Sequence, residues 1–356
     1  VKPRVLLVGR TRYALPLAPT LARRFDALRA ELDLRVLAAG SGSDETFHLV
    51  PALPLADGAA YYAALPLRVA RELRSFRPDA VLAQSPYEGA AALAARRLAR
   101  VRTPVVVDVH GDPETFTRLY GSRARRALSP VGDALSRRTI RAADAVRTVS
   151  PFTTDLVRRL GVEPTAEFPA FMDLSAFAGA PEPLPQEPRA LFVGVLERYK
   201  GIDVLLRAWP DVGVGALHVV GEGSLRELVA DSHKVDWAPS LEPAEVARAL
   251  DASWCLVLPS RSEGMGRVLV EAFCRGRAVV GTRVGSIPDL VRDGENGLLV
   301  PPDDAHALAD AMRRVLSDQA LAERLGAGAR ASAAPWLQTP EEWAARTRAL
   351  VQSVLR

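Results

Sequence analysis

The sequence predicts an α/β protein built from two doubly wound, Rossmann-like domains facing one another across a cleft. Three observations carry that expectation. Short apolar runs alternate with helical patterns over all 356 residues, a length that suits two domains of about 150–200 residues better than one core. The runs are continuously apolar, as strands covered on both faces require. Midway, Pro181-Glu182-Pro183-Leu184-Pro185-Gln186-Glu187-Pro188 places four prolines in eight residues and reads as an extended linker.

In the first half the strand candidates are residues 4–9, 34–39, 80–84, 105–110 and 145–150. Helix candidates lie near 16–30, 59–75, 88–100, 122–142 and 151–160. Beyond the linker, strands are expected at 190–195, 216–221, 233–237, 254–259, 278–282 and 297–300. Helices fall near 201–209, 223–231, 243–251, 266–276 and 304–317. The expected domains are 1–180 and 189–335, joined by 181–188. After Trp336 a helical pattern runs from Glu341 to about Val354. The second domain's alternation does not need it, so residues 336–356 are expected to cross back onto the first domain. Ligands of such sheets bind at the carboxyl ends of the strands, which makes the cleft the expected active site.

Composition narrows the class. With 48% hydrophobic and 25% charged residues the chain is neither disordered nor collagen-like. No run of about 18 apolar residues occurs, so no spanning helix is expected. The strand-like run Val5–Val8 begins so early that no signal peptide is expected ahead of it. Cys255 and Cys274 lack metal-ligand spacing and read as two buried, reduced thiols of a cytoplasmic protein.

The net charge of +4 hides an asymmetry. Residues 1–180 carry 26 Lys/Arg against 18 Asp/Glu, a net +8, whereas 181–356 carry 20 against 24, a net −4. A basic half suggests an anionic partner. Its densest run spans Arg118 to Arg147 and includes Arg123, Arg125, Arg126, Arg137, Arg138 and Arg141. No aromatics interleave there, which argues against nucleic acid. A solvated helix face accounts for the run, as does peripheral contact with the inner face of the plasma membrane. Lysine is nearly absent: Lys2, Lys200 and Lys234 stand against 43 arginines, so the setting of each is informative.

The chemistry concentrates in 259–304. A buried strand ends at Leu258-Pro259, and a polar turn from Ser260 to Gly266 leads into a helix. Gly264 and Gly266 let a ligand approach the backbone closely. The first helical amides, near Gly266, Arg267 and Val268, lack intrahelical acceptors and lie at the positive end of the dipole, which makes an anion site. Glu263 precedes this helix and Glu271 lies within it. A fully helical step of eight residues, at ~100° each, places them roughly 80° apart, able to grip two parts of a long ligand. Carboxylates beside an anion site suit the hydroxyl groups flanking the anion, as on sugars. Upstream, Lys200 precedes Gly201 at the mouth of the second domain's first strand, where an ammonium would neutralise a phosphate.

These residues resemble the donor-binding domain of the retaining glycosyltransferases of family 4, with the GT-B fold. The matching pieces are FVGVLERYKGIDVLL, HVVGEGSLRE, VLPSRSEGMGRVLVEAF, GRAVVGTRVGSIPDLV and DGENGLLVPPDD. Two glutamates separated by seven residues, in S-E-G-x-G-x-x-x-x-E, are the distinctive mark. The first half matches more loosely, through VHGDPE (109–114) and MDLSAF (172–177). The resemblance implies that Glu271 holds the ribose of a nucleotide. It gives the donor sugar to Glu263 and the segment Gly264, Met265, Gly266, Arg267. Lys200 then contacts the diphosphate with the Val268 amide, and His110 stands near the reacting centre. His110 is independently notable for ending a buried strand at its carboxyl end. Asp112, two residues on, is a weaker candidate of the same loop, since aspartate also serves as a turn former.

Two departures accompany the resemblance. Relatives often have arginine after the strand-end glycine, where this chain reads Gly194-Val195-Leu196; Arg198 is the candidate replacement. Relatives also have paired glycines in the first βα turn, where this chain has Gly9-Arg10-Thr11-Arg12. Arg10 or Arg12 would there reach donor phosphate or an anionic acceptor. The implied reaction is sugar transfer from a nucleoside-diphosphate sugar, a co-substrate rather than a cofactor, to an acceptor hydroxyl on a small molecule or a lipid-linked glycan. No D-x-D occurs, so no metal bridge is expected. The rival readings are a sugar-nucleotide epimerase or glycogen-type phosphorylase of related plan, and a catalytically silent nucleotide-sugar binder. A dinucleotide-dependent oxidoreductase is disfavoured, since no G-x-G-x-x-G follows either opening strand.

Overall fold

The computed structural model describes residues 1–51, 57–112, 129–232 and 235–355. The chain divides into two compact units, one of them drawing on both ends of the chain. In that unit the described residues form a seven-stranded sheet in the order β3-β2-β1-β4-β5-β6-β7. The strands are β1 Arg4–Ala14, β2 Asp33–Ser41, β3 Phe47–Val50, β4 Ala80–Ala83, β5 Val105–Val109, β6 Ala145–Thr148 and β7 Ala166–Glu167. All neighbours pair in parallel. Helices cover both faces, as the continuously apolar strands demand. On one face α1 (Pro19–Glu31) and the C-terminal helix α13 (Pro340–Ser353) pack Phe25, Leu28, Trp343 and Leu350 onto Val5, Leu7 and Val106. On the other, α2 (Asp57–Ser75) and α3 (Pro86–Ala99) bring Leu65, Val69, Ala92 and Ala95 onto Leu6, Val81 and Val107. Two further helices, α4 (Ser129–Ala142) and α5 (Pro151–Arg159), flank β6 in sequence.

The other unit takes Met172–Leu337. Its parallel sheet runs β10-β9-β8-β11-β12-β13, with β8 Arg189–Val193, β9 Ala216–Val220, β10 Val235–Ala238, β11 Cys255–Leu258, β12 Ala278–Thr282 and β13 Gly297–Val300. The helices are α6 Ile202–Val212, α7 Arg226–Ala230, α8 Pro243–Asp251, α9 Arg267–Cys274, α10 Ile287–Leu290, α11 Ala305–Ser317 and α12 Gln319–Ala331. Phe192, Leu205, Val257, Val280 and Met312 sit at the centre of its core. Cys255 and Cys274 are buried and unpaired, and burial pushes the Cys255 thiol up to about 12.

The fold differs from the expectation at several points, each with a local cause. The unit boundary falls at Phe171/Met172 rather than at the prolines. Arg275 donates to the carbonyls of Gly179 and Ala180, Arg277 to that of Glu182, and Trp254 Nε1 to that of Pro185, so the proline-rich segment is bound along its length to the second unit. The first βα turn does not lie at 9–12: β1 continues to Ala14, its pairing with β2 resuming at Arg12 after a register shift. Arg10 and Arg12 are therefore strand residues. Helix α12 was not expected because Gly326 and Gly328 interrupt its pattern, yet a side chain at Gly328 would meet the Glu295 carbonyl oxygen at 2.1 Å. The strands β3 and β7, four and two residues long, are too short to stand out. The arginines Arg118, Arg123, Arg125 and Arg126, the start of the 122–142 helix candidate, Pro113-Glu114 of the VHGDPE stretch, and His233-Lys234 of the 233–237 strand lie outside the described residues.

Candidate functional site

Four loops meet at the carboxyl end of the second unit's sheet, and small residues let their backbones touch. After β8 the chain runs through a 3-10 turn, Arg198–Lys200, into Gly201, whose φ of 69° starts α6. A side chain there would meet the Pro259 carbonyl oxygen at 1.9 Å, so glycine is needed both for the conformation and for the approach to the loop after β11. Leu196 N–H donates to the Glu222 carbonyl, and Glu197 accepts from the amide and hydroxyl of Ser224, tying in the loop after β9. The loop after β12 closes on the same place, where Ser286 N–H donates to the Glu263 carbonyl.

Arg261 fastens the first two of these loops. Its guanidinium donates to both carboxylate oxygens of Asp203, at 2.7 and 2.8 Å, to Asp303 Oδ1 at 2.6 Å, and to the Arg198 carbonyl. Burial alone would push the Asp203 carboxyl up, but Arg261 outweighs it and holds it below the usual range. Sequence reasoning missed this clamp, although Arg261 stands inside the S-R-S-E-G run and Asp203 two residues after Gly201.

Within this frame Lys200 Nζ donates to Glu263 Oε2, and the Gly266 amide donates to Glu263 Oε1 at 3.2 Å. Both side chains of the Lys200–Glu263 pair are largely shielded. Gly266 caps α9 with a φ of 49°, so the helix begins only at Arg267. The angular estimate for Glu263 and Glu271 does not apply for that reason: Glu263 lies in the loop. Met265 and Val268 are buried and Arg267 is exposed. Burial pushes the Glu271 carboxyl up, only partly countered by Arg267, and among the described residues no group hydrogen-bonds it. Arg198 is exposed one turn from Lys200, and Val195 is exposed as well.

The first unit carries the remaining candidates. His110 follows β5 at its carboxyl end, its Nε2 lying 3.6 Å from Asp108 Oδ2. Arg10 lies with its guanidinium 5.9 Å from the Tyr62 ring centroid. Arg12 is exposed and Asp112 half-buried. Among the described residues no group of three or more His, Cys, Asp or Glu is placed to hold a metal ion. Nor is any described helix long and apolar enough to cross a membrane.

Two parallel-sheet Rossmann-like units with this connectivity define the GT-B fold. Solved structures agree: sucrose-phosphate synthase from Thermosynechococcus elongatus superposes with a TM-score of 0.80 at 21% identity, over 99% of each chain. Anabaena Alr3699/HepE, solved with UDP-glucose, gives 0.70 at 17% identity over 98% of this chain and 99% of that one. Residues 9–167 match the glycosyl transferase 4-like domain and residues 187–318 the glycosyl transferases group 1 domain. Together these findings support a GT-B glycosyltransferase. Among curated relatives, a D-inositol 3-phosphate glycosyltransferase of Thermobifida fusca is 36% identical over 42% of this chain. The match spans 39% of that protein's own length. A glycogen synthase of Mycobacterium tuberculosis is 29% identical over 83% of this chain and 75% of its own. The matched domains are those of glycosyltransferases, not epimerases.

Proposed function

We propose that this protein is a retaining glycosyltransferase of family 4 that moves a sugar from a nucleoside-diphosphate sugar to an acceptor hydroxyl without a metal ion. The observation that carries the reading is the meeting of the Lys200 ammonium, the Glu263 carboxylate and the amide of Gly266, the cap of α9, in one shielded corner. A departing diphosphate needs fixed positive charge, which Lys200 and the amides from Gly266 to Val268 supply, with exposed Arg198 in reach of the same turn. Glu263 and the segment Gly264, Met265, Gly266, Arg267 take the sugar hydroxyls. The buried carboxylate of Glu271 takes the ribose hydroxyls, which supply the partners it otherwise lacks.

In the first unit the resemblance makes His110 the candidate for the reacting centre, and Arg10, Arg12 and Asp112 candidates for a phosphate or the acceptor. The acceptor oxygen attacks on the face the phosphate leaves: the sugar–phosphate bond breaks, the new glycosidic bond forms, and the departing phosphate oxygen takes the acceptor proton. The relatives named for D-inositol 3-phosphate make a phosphorylated acceptor reasonable, and the basic first half equally permits a lipid-linked glycan at the inner face of the plasma membrane. Exposed Val195, where relatives carry arginine, supports a second reading as a silent nucleotide-sugar binder.

Thermal unfolding tests the site. UDP, GDP, ADP and their glucose conjugates are added to the wild type, Lys200→Ala and Glu271→Ala. A ligand at 100 times its dissociation constant stabilises by about 2.7 kcal/mol. A shift with one nucleotide, lost in both variants, supports the site and names the base. Absence of any shift rejects a donor site for these nucleotides. Turnover that survives chelation supports the metal-free reading, and loss restored by a divalent ion overturns it.

A further inference from the structure

Asp108 and Arg147 face one another across the parallel pairing of β5 with β6. By the alternation of strands they share a face with Val106 and Ala145, which belong to the apolar core under α1 and α13. Arg147 Nε donates to Asp108 Oδ1 at 2.9 Å and Nη2 to Oδ2 at 2.7 Å. Its guanidinium lies 4.7 Å from the Phe168 ring centroid. Taking such a pair out of water offsets most of its attraction, and two apolar residues of like volume would join these strands as well. Stability alone therefore does not account for charges at this point of a core.

The neighbouring group does. His110 Nε2 stands 3.6 Å from Asp108 Oδ2, the oxygen that Arg147 Nη2 holds. The carboxylate is fixed by two bonds and shielded, whereas the ring beside it is 41% exposed. Burial alone would push the Asp108 carboxyl up; the Arg147 guanidinium, with the His110 ring, outweighs it and keeps it below the usual range. The oxygen facing the ring is thus charged at neutral pH. The space bounded by Gln84, Asp108, His110, Arg147, Trp343 and Thr347 is about 30 Å³, room for a water molecule and not for a substrate.

We propose that Asp108, clamped by Arg147, is a positioning residue for His110: it holds the Nε2 proton and leaves Nδ1 as the ring's acceptor for a substrate hydroxyl. At 3.6 Å the contact is longer than a hydrogen bond, and a catalytic contact of this kind tightens when substrate binds. The assignment rests on His110 standing at the reacting centre, the reading given above.

The test sets Asp108→Asn beside the double variant Asp108→Leu/Arg147→Met, which restores an apolar pair and is expected to fold as stably as the wild type. Each is assayed for release of nucleoside diphosphate from UDP-, GDP- and ADP-glucose, with water as acceptor. The ring 15N shifts of His110 are recorded without ligand. Positioning predicts a kcat lower by about a hundredfold in both variants at nearly constant donor KM. It also predicts that the two ring shifts converge on those of mixed tautomers. A double variant with wild-type turnover and unchanged ring shifts overturns the proposal, whatever Asp108→Asn does to the melting temperature. If the wild type releases no diphosphate from these donors, the ring shifts alone decide whether Asp108 orients His110, and the nucleotide-dependent melting shift described above decides the reading of function.

Discussion

Lys200 and Glu263 are bonded to one another across two loops, and Glu263 also accepts the Gly266 amide. The carboxylate thus occupies Lys200 and one of the amides that a diphosphate would use. A bare nucleoside diphosphate must compete with it, whereas a nucleotide sugar repays the exchange by offering hydroxyls to Glu263. Glu263→Gln is therefore expected to bind UDP or GDP more tightly than the wild type and to lose preference for the sugar conjugate. Calorimetric titration of both ligands decides this; a variant that binds the bare diphosphate more weakly shows that Glu263 organises the site rather than filling it.

Arg261 makes the next prediction, because it bonds Asp203, Asp303 and the Arg198 carbonyl, while Arg207 adds only a longer bond to Asp203 at 3.3 Å. Arg261→Ala leaves the shielded Asp203 without its main partner and is expected to cost about 3 kcal/mol. Arg261→Lys restores charge but not the planar fork, and should recover less than half. Urea denaturation measures both, and a loss within about 0.5 kcal/mol for Arg261→Ala would place the clamp among ordinary surface pairs.

The sequence made some of this legible and hid the rest for physical reasons. Strand–helix alternation is written in continuous apolar runs, so β8, β9, β11, β12 and β13 are readable, and a lysine before a glycine at a strand end is conspicuous. The β1 extension is not, because Gly9-Arg10-Thr11-Arg12 has turn composition and pairs with β2 only beyond a register shift. Pairs such as Asp108–Arg147 and Arg261–Asp203 join residues 39 and 58 positions apart. Only register or loop packing brings those together.

Acid stability follows from the carboxylates. The carboxyls of Asp108 and Asp203 are lowered on folding, each held down by its arginine against the effect of burial. Their folded state binds fewer protons than the unfolded chain. The stability they contribute is complete above the ordinary aspartate range, about pH 4, and is lost as pH falls through the folded values. Asp203→Asn should flatten the fall of unfolding free energy below about pH 4; an unchanged acid limb removes Asp203 from the account.

Glu271 has the opposite sign. Burial raises its carboxyl, so the folded state holds a proton longer than the unfolded chain and ionisation costs stability as pH rises through that interval. Glu271→Gln removes the cost and keeps the shape. At pH 7 the variant should melt higher than the wild type while losing the stabilisation that a nucleotide brings, a trade of stability against function at one side chain. Melting curves with and without the nucleotide that shifts the wild type measure both halves. A variant that melts lower without ligand would mean that a bond within the protein, not a ligand's hydroxyl, satisfies Glu271.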